Sequence, residues 1–157
     1  MTTMLTSDWL LADSLAPDVS DDLLAPLYAA GARHELVLPF CGDCSLPLDL
    51  DQQVCDGCGA AEIAWRPVEK AGTVHSVTVM HRREPDLVVA SDPYPILDVE
   101  LASGHRLIMT THARSESVPR VGDRVTVAFR ELGGVPIPSA TPAAPRHTVP
   151  LTTEARS

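Results

Sequence analysis

The longest regular pattern in the chain is an alternation of polar and β-branched apolar residues over positions 73–80. This alternation predicts a long β-strand. Further strands are predicted over residues 95–101 and 106–111, joined as a hairpin, and over residues 124–130. Short strands of this number within about 65 residues indicate a small closed or nearly closed barrel, and an OB-fold fits best.

A helical pattern is confined to the N-terminal region. Ser20, Asp21 and Asp22 would cap a short amphipathic helix that ends near Gly31. Another helical turn is predicted over residues 7–15. Neither helix has enough chain around it to form its own core, so each must dock on the rest of this chain or on a partner protein. The candidates for partner binding are Trp9, Leu23, Leu24, Leu27 and Tyr28.

All four cysteines lie in two Cys-x2-Cys pairs: Cys41, Cys44, Cys55 and Cys58. Two such pairs are typical of tight loops that hold one ion in a tetrahedral site, and Gly42, Gly57 and Gly59 would favour left-handed turns there. Two disulfides are the alternative, but the first 15 residues lack the pattern of a secretory signal peptide. The spacing therefore predicts a rubredoxin-like zinc ribbon in a reducing cytoplasm.

The patterns divide the chain into four segments. They are an N-terminal helical segment (1–33), a zinc ribbon framed by strands (34–68), an OB-fold barrel (69–135) and a Pro-rich flexible tail (136–157). The predicted fold is thus mostly β with an N-terminal helix. A ribbon of about 35 residues is too small to fold on a hydrophobic core alone, so its Zn²⁺ is expected to be structural. Trp65 is expected to pack between ribbon and barrel.

Charge is distributed unevenly along the chain. The net charge of -9 divides into -4 over residues 1–33, -6 over residues 34–69 and +1 over residues 70–157. This acidity argues against a general nucleic-acid binder, and an anionic ligand would meet the C-terminal half. No apolar run reaches the ~18 residues that a membrane span needs.

The order of these features resembles a known family. A helix, a four-cysteine ribbon, Trp65 and the strand that begins Gly72-Thr73-Val74 are similar to the acyl-CoA-associated zinc-ribbon/OB-fold proteins, once called domain of unknown function thirty-five. Gly31, Pro93-Tyr94-Pro95 and Val121-Gly122-Asp123 add to the likeness. The chain departs from the family's Pro-x-Phe-Arg-Pro-like segment, because residues 138–142 read Pro-Ser-Ala-Thr-Pro.

The resemblance implies an accessory role instead of independent catalysis. Such proteins are partners of thiolase-superfamily enzymes, including thiolases, lipid-transfer-type aldolases acting on steroid side-chain thioesters, and an archaeal ketothiolase and HMG-CoA synthase assembly. The resemblance therefore implies a hetero-oligomer in lipid metabolism. In it, the N-terminal helices and the ribbon contact the enzyme, and the barrel is the side associated with the acyl-CoA thioester.

The phosphates of CoA favour arginine, so basic residues of the C-terminal half are the candidates for binding it. The cluster formed by His81, Arg82 and Arg83 lies at the exit of the first barrel strand, with a solvated loop as the alternative. Arg106 is added to this set. The weaker candidates are Arg120, Arg124 and Arg130.

Other functions stay open at this stage. OB barrels and zinc ribbons both occur in nucleic-acid binders, although the barrel offers only Tyr94 and Phe129 as stacking platforms. An S4 site can also hold iron, as in a rubredoxin-like electron carrier. No catalytic residue is assigned, because no Ser or Cys nucleophile motif adjoins the histidines.

Overall fold

The computed structural model describes residues 8–114 and 117–143. Within these ranges the chain forms a 3-10 turn, one helix and seven strands. They are the turn Asp13–Leu15, α1 (Ala25–Gly31), β1 (Val37–Cys41), β2 (Ile63–Pro67), β3 (Ala71–Met80), β4 (Tyr94–Leu101), β5 (Arg106–Met109), β6 (Arg124–Leu132) and β7 (Val135–Pro142). In the part of the chain described, no helix is long and apolar enough to cross a membrane.

Strands β3 to β7 form one sheet that closes into a barrel. Their order is β5-β4-β3-β6-β7, and each neighbouring pair is antiparallel. A parallel bridge between Thr111 and Ala140 joins the two ends, with the Ala140 N–H donating to the Thr110 carbonyl at 2.9 Å. Five strands with this order and one parallel closure make an OB-fold, as the strand pattern predicts. The mostly β fold with an N-terminal helix is confirmed.

The barrel core also contains residues from outside the barrel. Leu36 and Leu38 of the ribbon segment are fully buried in it, and Leu27 and Tyr28 of α1 pack on the same cluster. The remaining buried members are Val74, Leu97, Val99, Leu101, Leu107, Met109, Val125, Val127, Val135 and Ala140. The chain from residue 27 to residue 140 therefore shares one main core, which crosses the predicted boundary between ribbon and barrel.

The alternation predicted for β3 is interrupted at one point. The register of β3 on β4 shifts between Val74 and Ser76, which makes His75 the extra residue of a β-bulge. A bulge reverses the alternation beyond it. Val77 therefore packs against the core in place of Ser76.

The prediction of a flexible tail from residue 136 is wrong for residues 136–142, which lie in β7. Each of them pairs with β6, and prolines occupy positions 136, 138 and 142 of the strand. Alternate residues of a strand point their N–H groups to the same side, so Ala140 shows the direction at all three prolines. Its N–H points away from β6 and donates to Thr110. The prolines thus fall where no ladder hydrogen bond to β6 is lost. Residues 144–157 of the predicted tail lie outside the described residues.

The N-terminal predictions also need correction. Helix α1 ends at Gly31 as expected but begins only at Ala25. Ser20 does not cap the helix; its hydroxyl donates to the Asp18 carboxylate instead. Pro26 sets this start, because proline fits only the first turn of a helix. Gly31 allows close packing at the end of the helix, since an added Cβ would lie only 3.0 Å from the Phe129 ring and would force that ring to shift.

A helical turn is predicted over residues 7–15; among the described residues 8–15 only the 3-10 turn at the end is helical, so the prediction is wrong for residues 8–12. Residues 10–12 run extended beside residues 87–89, where the Ala12 N–H donates to the Leu87 carbonyl at 2.9 Å. The Val89 N–H donates to the Leu10 carbonyl at 2.8 Å. The backbone groups that a helix would use are therefore taken by a distant loop.

A buried ion pair fixes this N-terminal segment to the barrel. Arg130 of β6 donates from Nη1 to both carboxylate oxygens of Asp8, at 2.7 and 2.8 Å. Both side chains are buried, and burial lowers the pKa of Arg130 while Asp8 opposes that shift. The same carboxylate accepts the N–H groups of Leu10 and Leu11. Asp8 thus neutralises the charge of Arg130 and also shapes the backbone that follows it.

We expect Asp8→Ala to destabilise the protein by about 3–5 kcal/mol, because it leaves the buried guanidinium without a counter-charge. Urea denaturation followed by circular dichroism measures this difference. Asp21→Ala is the matched control, since Asp21 is exposed, and its effect should stay within about 0.5 kcal/mol. Equal stability of the two variants would contradict the role given to Asp8.

Candidate functional site

The four cysteines converge at the end of the ribbon. Their Sγ atoms all lie within 4.8 Å of one another, and Cys41 to Cys58 and Cys44 to Cys55 are each 3.5 Å apart. A tetrahedral zinc site with Zn–S bonds of about 2.3 Å would place its sulfur atoms about 3.8 Å apart. None of the four forms a disulfide. The donor set and its spacing therefore fit a metal ion such as zinc.

The two Cys-x2-Cys loops share one hydrogen-bond pattern. In each loop the first cysteine donates its N–H to the carbonyl five residues later, and its own carbonyl accepts from the N–H four residues later. The four bonds are Cys41 to Leu46 (2.8 Å), Ser45 to Cys41 (3.0 Å), Cys55 to Ala60 (2.9 Å) and Gly59 to Cys55 (2.9 Å). The loops are thus two copies of one structure.

In each loop, the residue after the second cysteine has a left-handed backbone conformation, with a positive φ. Gly59 has a φ of 76° and Ser45 a φ of 63°. The prediction that glycine takes this position is confirmed for Gly59 and wrong for Gly42 and Gly57, neither of which has a positive φ. In the first loop a serine accepts the strained conformation.

The thiols influence one another strongly when no cation separates them. The Cys44 N–H donates to the Cys41 Sγ and lowers the pKa of Cys41 to about 7. The Ala60 N–H lowers the pKa of Cys58, but the neighbouring Cys41 thiol and burial outweigh it and raise that pKa to about 12. Four thiolates this close repel one another, and a divalent cation removes that repulsion.

The ribbon is joined to the barrel at two places. The carbonyl of Pro39 in β1 accepts a hydrogen bond from Nε2 of the buried His105 at 2.8 Å, so Nε2 carries the proton. The Phe40 ring meets the His105 ring edge-on at a centroid distance of 4.8 Å. Trp65 of β2 packs against the main core, which agrees with its predicted place between ribbon and barrel. The cage is therefore held in a fixed position by the barrel.

The structure does not bring the predicted CoA-binding residues together. His81, Arg82 and Arg83 follow the end of β3, whereas Arg106 lies beside Glu100, which is opposite Thr73 near the start of β3. The seven residue steps from Thr73 to Met80 span about 23 Å of strand.

The side chains of these basic residues also interact with other groups of the chain. Arg82 pairs with Glu84 at 2.7 Å, and Arg83 donates to the Ser91 carbonyl at 3.4 Å. The Arg106 guanidinium binds the Asp98 carboxylate and lowers its pKa. That these four residues bind CoA remains a prediction, but they do not form one site.

The predicted partner-binding residues fall into two groups. Leu27 and Tyr28 are buried in the chain's own core, so the prediction that they contact a partner is wrong for this fold. Leu24 is half-buried against that core, and Trp9 donates its indole N–H to the Thr111 carbonyl at 3.1 Å. Leu23 is 64% exposed and remains available to a partner.

Two features of the site were missed or undervalued by sequence reasoning. The Asp8 and Arg130 pair joins residues 122 positions apart, and no local signal marks it. Arg120 and Arg124 line a cleft of about 720 Å³ beside the end of β7. Their signal in the sequence is the turn Val121-Gly122-Asp123 between them.

Together the fold and the cysteine cage define a four-cysteine ribbon protein with an OB-fold barrel. Residues 65–130 match the family model of the C-terminal OB-fold domain of ChsH2. No curated protein sequence matches the chain. The match to this family model confirms, for the barrel, the family resemblance predicted from the sequence.

Among solved structures, one has the same architecture over its whole length. A chain of the Ltp2-ChsH2(DUF35) aldolase is 24% identical with a TM-score of 0.68, and the alignment covers 82% of this chain and 100% of that chain. A DUF35-family protein of unknown function from Sulfolobus solfataricus is 13% identical with a TM-score of 0.49. That alignment covers 70% of this chain and 80% of that chain. The first comparison shows that the whole of the neighbour's fold is present here.

Removal of the metal should unfold only the outer part of the ribbon. The buried cluster there consists of Cys41, Cys55 and Leu48, too few side chains to hold residues 42–62 without an ion. Leu36 and Leu38 remain held by the barrel. Hydrogen exchange before and after chelation should therefore show lost protection in residues 42–62 and retained protection in β3 to β7. Unchanged protection of residues 42–62 would show that the cage is not structural.

The two left-handed positions should respond oppositely to substitution. We expect Gly59→Ala to destabilise the metal-bound protein by about 1–2 kcal/mol, because a side chain is strained at positive φ. Apart from the adjoining residues, no atom lies within 4 Å of the added Cβ, so the cost is conformational. Ser45→Gly relieves the same strain and should not destabilise, although the exposed Arg66 hydrogen bond to its hydroxyl is lost. Zinc competition and thermal unfolding measure the stability of both variants. A Gly59→Ala variant as stable as the original protein would contradict the prediction.

Proposed function

We propose that this chain is a non-catalytic accessory subunit that binds a thiolase-superfamily enzyme, either an aldolase of the lipid-transfer type or a thiolase. In the resulting hetero-oligomer it assists the binding or transfer of an acyl-CoA thioester in lipid or steroid side-chain degradation. Its ribbon holds a structural zinc ion, whose thiolates stay reduced in the cytoplasm.

The observation that carries this proposal is the likeness in fold to a chain of the Ltp2-ChsH2(DUF35) aldolase, the whole length of which is covered by the alignment. The match of residues 65–130 to the ChsH2 OB-fold domain family supports it independently of the ribbon. The chemistry of the cage agrees, because four thiolates saturate a tetrahedral ion and leave no open position for a substrate.

Two of the histidines, His105 and His112, suit a structural role as well. His105 is buried between the Pro39 carbonyl and the Ser103 hydroxyl. His112 faces the Ser139 hydroxyl, which donates in turn to the Ala128 carbonyl. Their ring nitrogens are used in holding strands and loops together.

The family resemblance favours the N-terminal helices and the ribbon as the docking surface. Exposed apolar side chains are present there: Leu46 and Val54 are 41% and 54% exposed on the two loops around the cage, and Leu23 lies before α1. The fully buried centre of a protein interface is more apolar than the rest of the surface. We therefore place the partner on the ribbon loops and the start of α1.

The two alternatives have less support. A single-strand nucleic-acid binder needs exposed aromatic platforms, but Phe129 packs against the core. A rubredoxin-like electron carrier would hold iron in the same cage. A red protein that can be reduced and reoxidised would favour that alternative, and a colourless protein with one zinc per chain would exclude it.

Affinity purification of the tagged full chain from its native cells tests the proposal. We expect mass spectrometry to identify a thiolase-fold aldolase or thiolase in stoichiometric amount. Leu23→Asp and Val54→Asp should each weaken the complex about tenfold or more, because each places a charge against an apolar contact.

Ile108→Asp is the matched control, since Ile108 is 70% exposed on β5 of the barrel and should leave the complex intact. A lone monomer that turns over an acyl-CoA by itself would contradict the accessory role.

A further inference from the structure

The cysteine cage combines thiols that differ in their exposure. Cys44 and Cys58 are exposed, whereas Cys41 and Cys55 are buried. Both of the 3.5 Å contacts, Cys41 with Cys58 and Cys44 with Cys55, join a buried sulfur of one loop to an exposed sulfur of the other. Each pair therefore has one sulfur that a solute can reach and a second sulfur next to it that is shielded from solvent.

The two loops contact each other beyond their sulfur atoms. A Cβ added to Gly57 would lie 3.3 Å from Cδ2 of Leu46, so the second loop packs on the first. The first loop is also fixed to β2, because the Gly42 N–H donates to the Glu62 carbonyl at 2.8 Å. The paired sulfur atoms are therefore presented by two loops that face each other.

The surroundings of the cage decide which kind of oxidant can approach it. Cysteine binds a metal ion as the thiolate, which is also the form that attacks an oxidant. Residues 34–69 have a net charge of -6, and Asp43 and Asp56 each lie between the two cysteines of a loop. This charge disfavours an anionic oxidant such as glutathione disulfide and leaves access to a small neutral one.

We propose that the cage is a site of reversible oxidation by hydrogen peroxide, in which Cys44 and Cys58 react first and Cys55 and Cys41 complete two disulfides between the loops. An exposed thiolate beside a second, resolving cysteine is the usual arrangement of an oxidant-sensitive site. The disulfides join Cys44 to Cys55 and Cys58 to Cys41, because these are the pairs in contact.

Each disulfide forms in two steps. Peroxide oxidises the exposed thiolate to a sulfenic acid and releases one hydroxide ion. The buried thiolate attacks this sulfur, forms the S–S bond and displaces a second hydroxide ion, so the sulfur pair loses two electrons and one peroxide molecule gains them. An S–S bond of about 2.05 Å requires sulfur atoms 3.5 Å apart to approach by about 1.5 Å.

Oxidation removes the ligands of the cage two at a time. A disulfide sulfur no longer carries the negative charge with which a thiolate binds a cation, so the oxidised chain is expected to lose its ion. A dithiol reductant regenerates the thiolates by exchange. This inference goes beyond the accessory role, because the isolated chain carries every sulfur atom that takes part.

Treatment of the zinc-loaded full chain with hydrogen peroxide tests the site. We expect about two molecules of peroxide per chain to release all of the bound zinc, measured with a chromogenic chelator. Dithiothreitol with added zinc should restore the bound ion. Retention of zinc after this treatment would overturn the proposal.

The disulfides are located by mass spectrometry after non-reducing digestion with an endoproteinase that cleaves before aspartate. Asp43, Asp49, Asp51 and Asp56 lie between successive cysteines, so the four cysteines fall on four different peptides. We expect the Cys41 peptide linked to that of Cys58, and the Cys44 peptide linked to that of Cys55. Disulfides within a loop, or mixed disulfides with added glutathione, would contradict the pairing.

Two matched variants test the order of reaction, since each removes one ligand of the cage. In Cys55→Ser the exposed Cys44 has no partner, so its sulfenic acid should persist and be labelled by dimedone. In Cys44→Ser the remaining Cys55 is buried and should stay unlabelled. Circular dichroism checks that the barrel is folded in both. Equal labelling of the two would overturn the proposed order. Failure of these tests would leave the co-purification result, and so the accessory role, unaffected.

Discussion

The burial of Leu36 and Leu38 in the barrel core is the contact on which the rest of the structure depends. These residues belong to the segment that leaves α1 and ends at Cys41, the first cysteine of the cage. Burial of apolar surface is the main favourable contribution to folding, so this segment cannot leave the barrel without exposing part of the common core. The position of the cage relative to the barrel follows directly from it.

The structure separates its surface into regions with different chemistry. The ribbon carries an acidic sequence and presents Leu46 and Val54 on the two cysteine loops, which suits contact with another protein. The barrel carries a cleft of about 720 Å³ that is lined by Arg120 and Arg124. The His105 bond to Pro39 joins the two parts, so an enzyme docked on the ribbon would have the barrel at a fixed position beside it.

Most elements were predictable because their signals lie within short windows of sequence. The alternation of β3, the β4 and β5 hairpin, and the Cys-x2-Cys loops each depend on neighbours a few residues away. β7 was not predictable in this way, since its prolines are tolerated only because their missing N–H groups point away from β6. The N-terminal segment was misread for the same kind of reason, because its hydrogen bonds go to residues 87–89.

The sequence by itself determined that two cysteine loops would form, because Cys-x2-Cys spacing closes a loop locally, and that short strands would form a barrel. Tertiary structure alone decided which charged side chains pair with an opposite charge. In the sequence, nothing distinguishes Arg130 and Arg106 from Arg124. In the fold, Arg130 lies beside Asp8 and Arg106 lies beside Asp98. Ion pairing and burial depend on which strands and segments become neighbours in the fold, and that information is spread over residues more than a hundred positions apart.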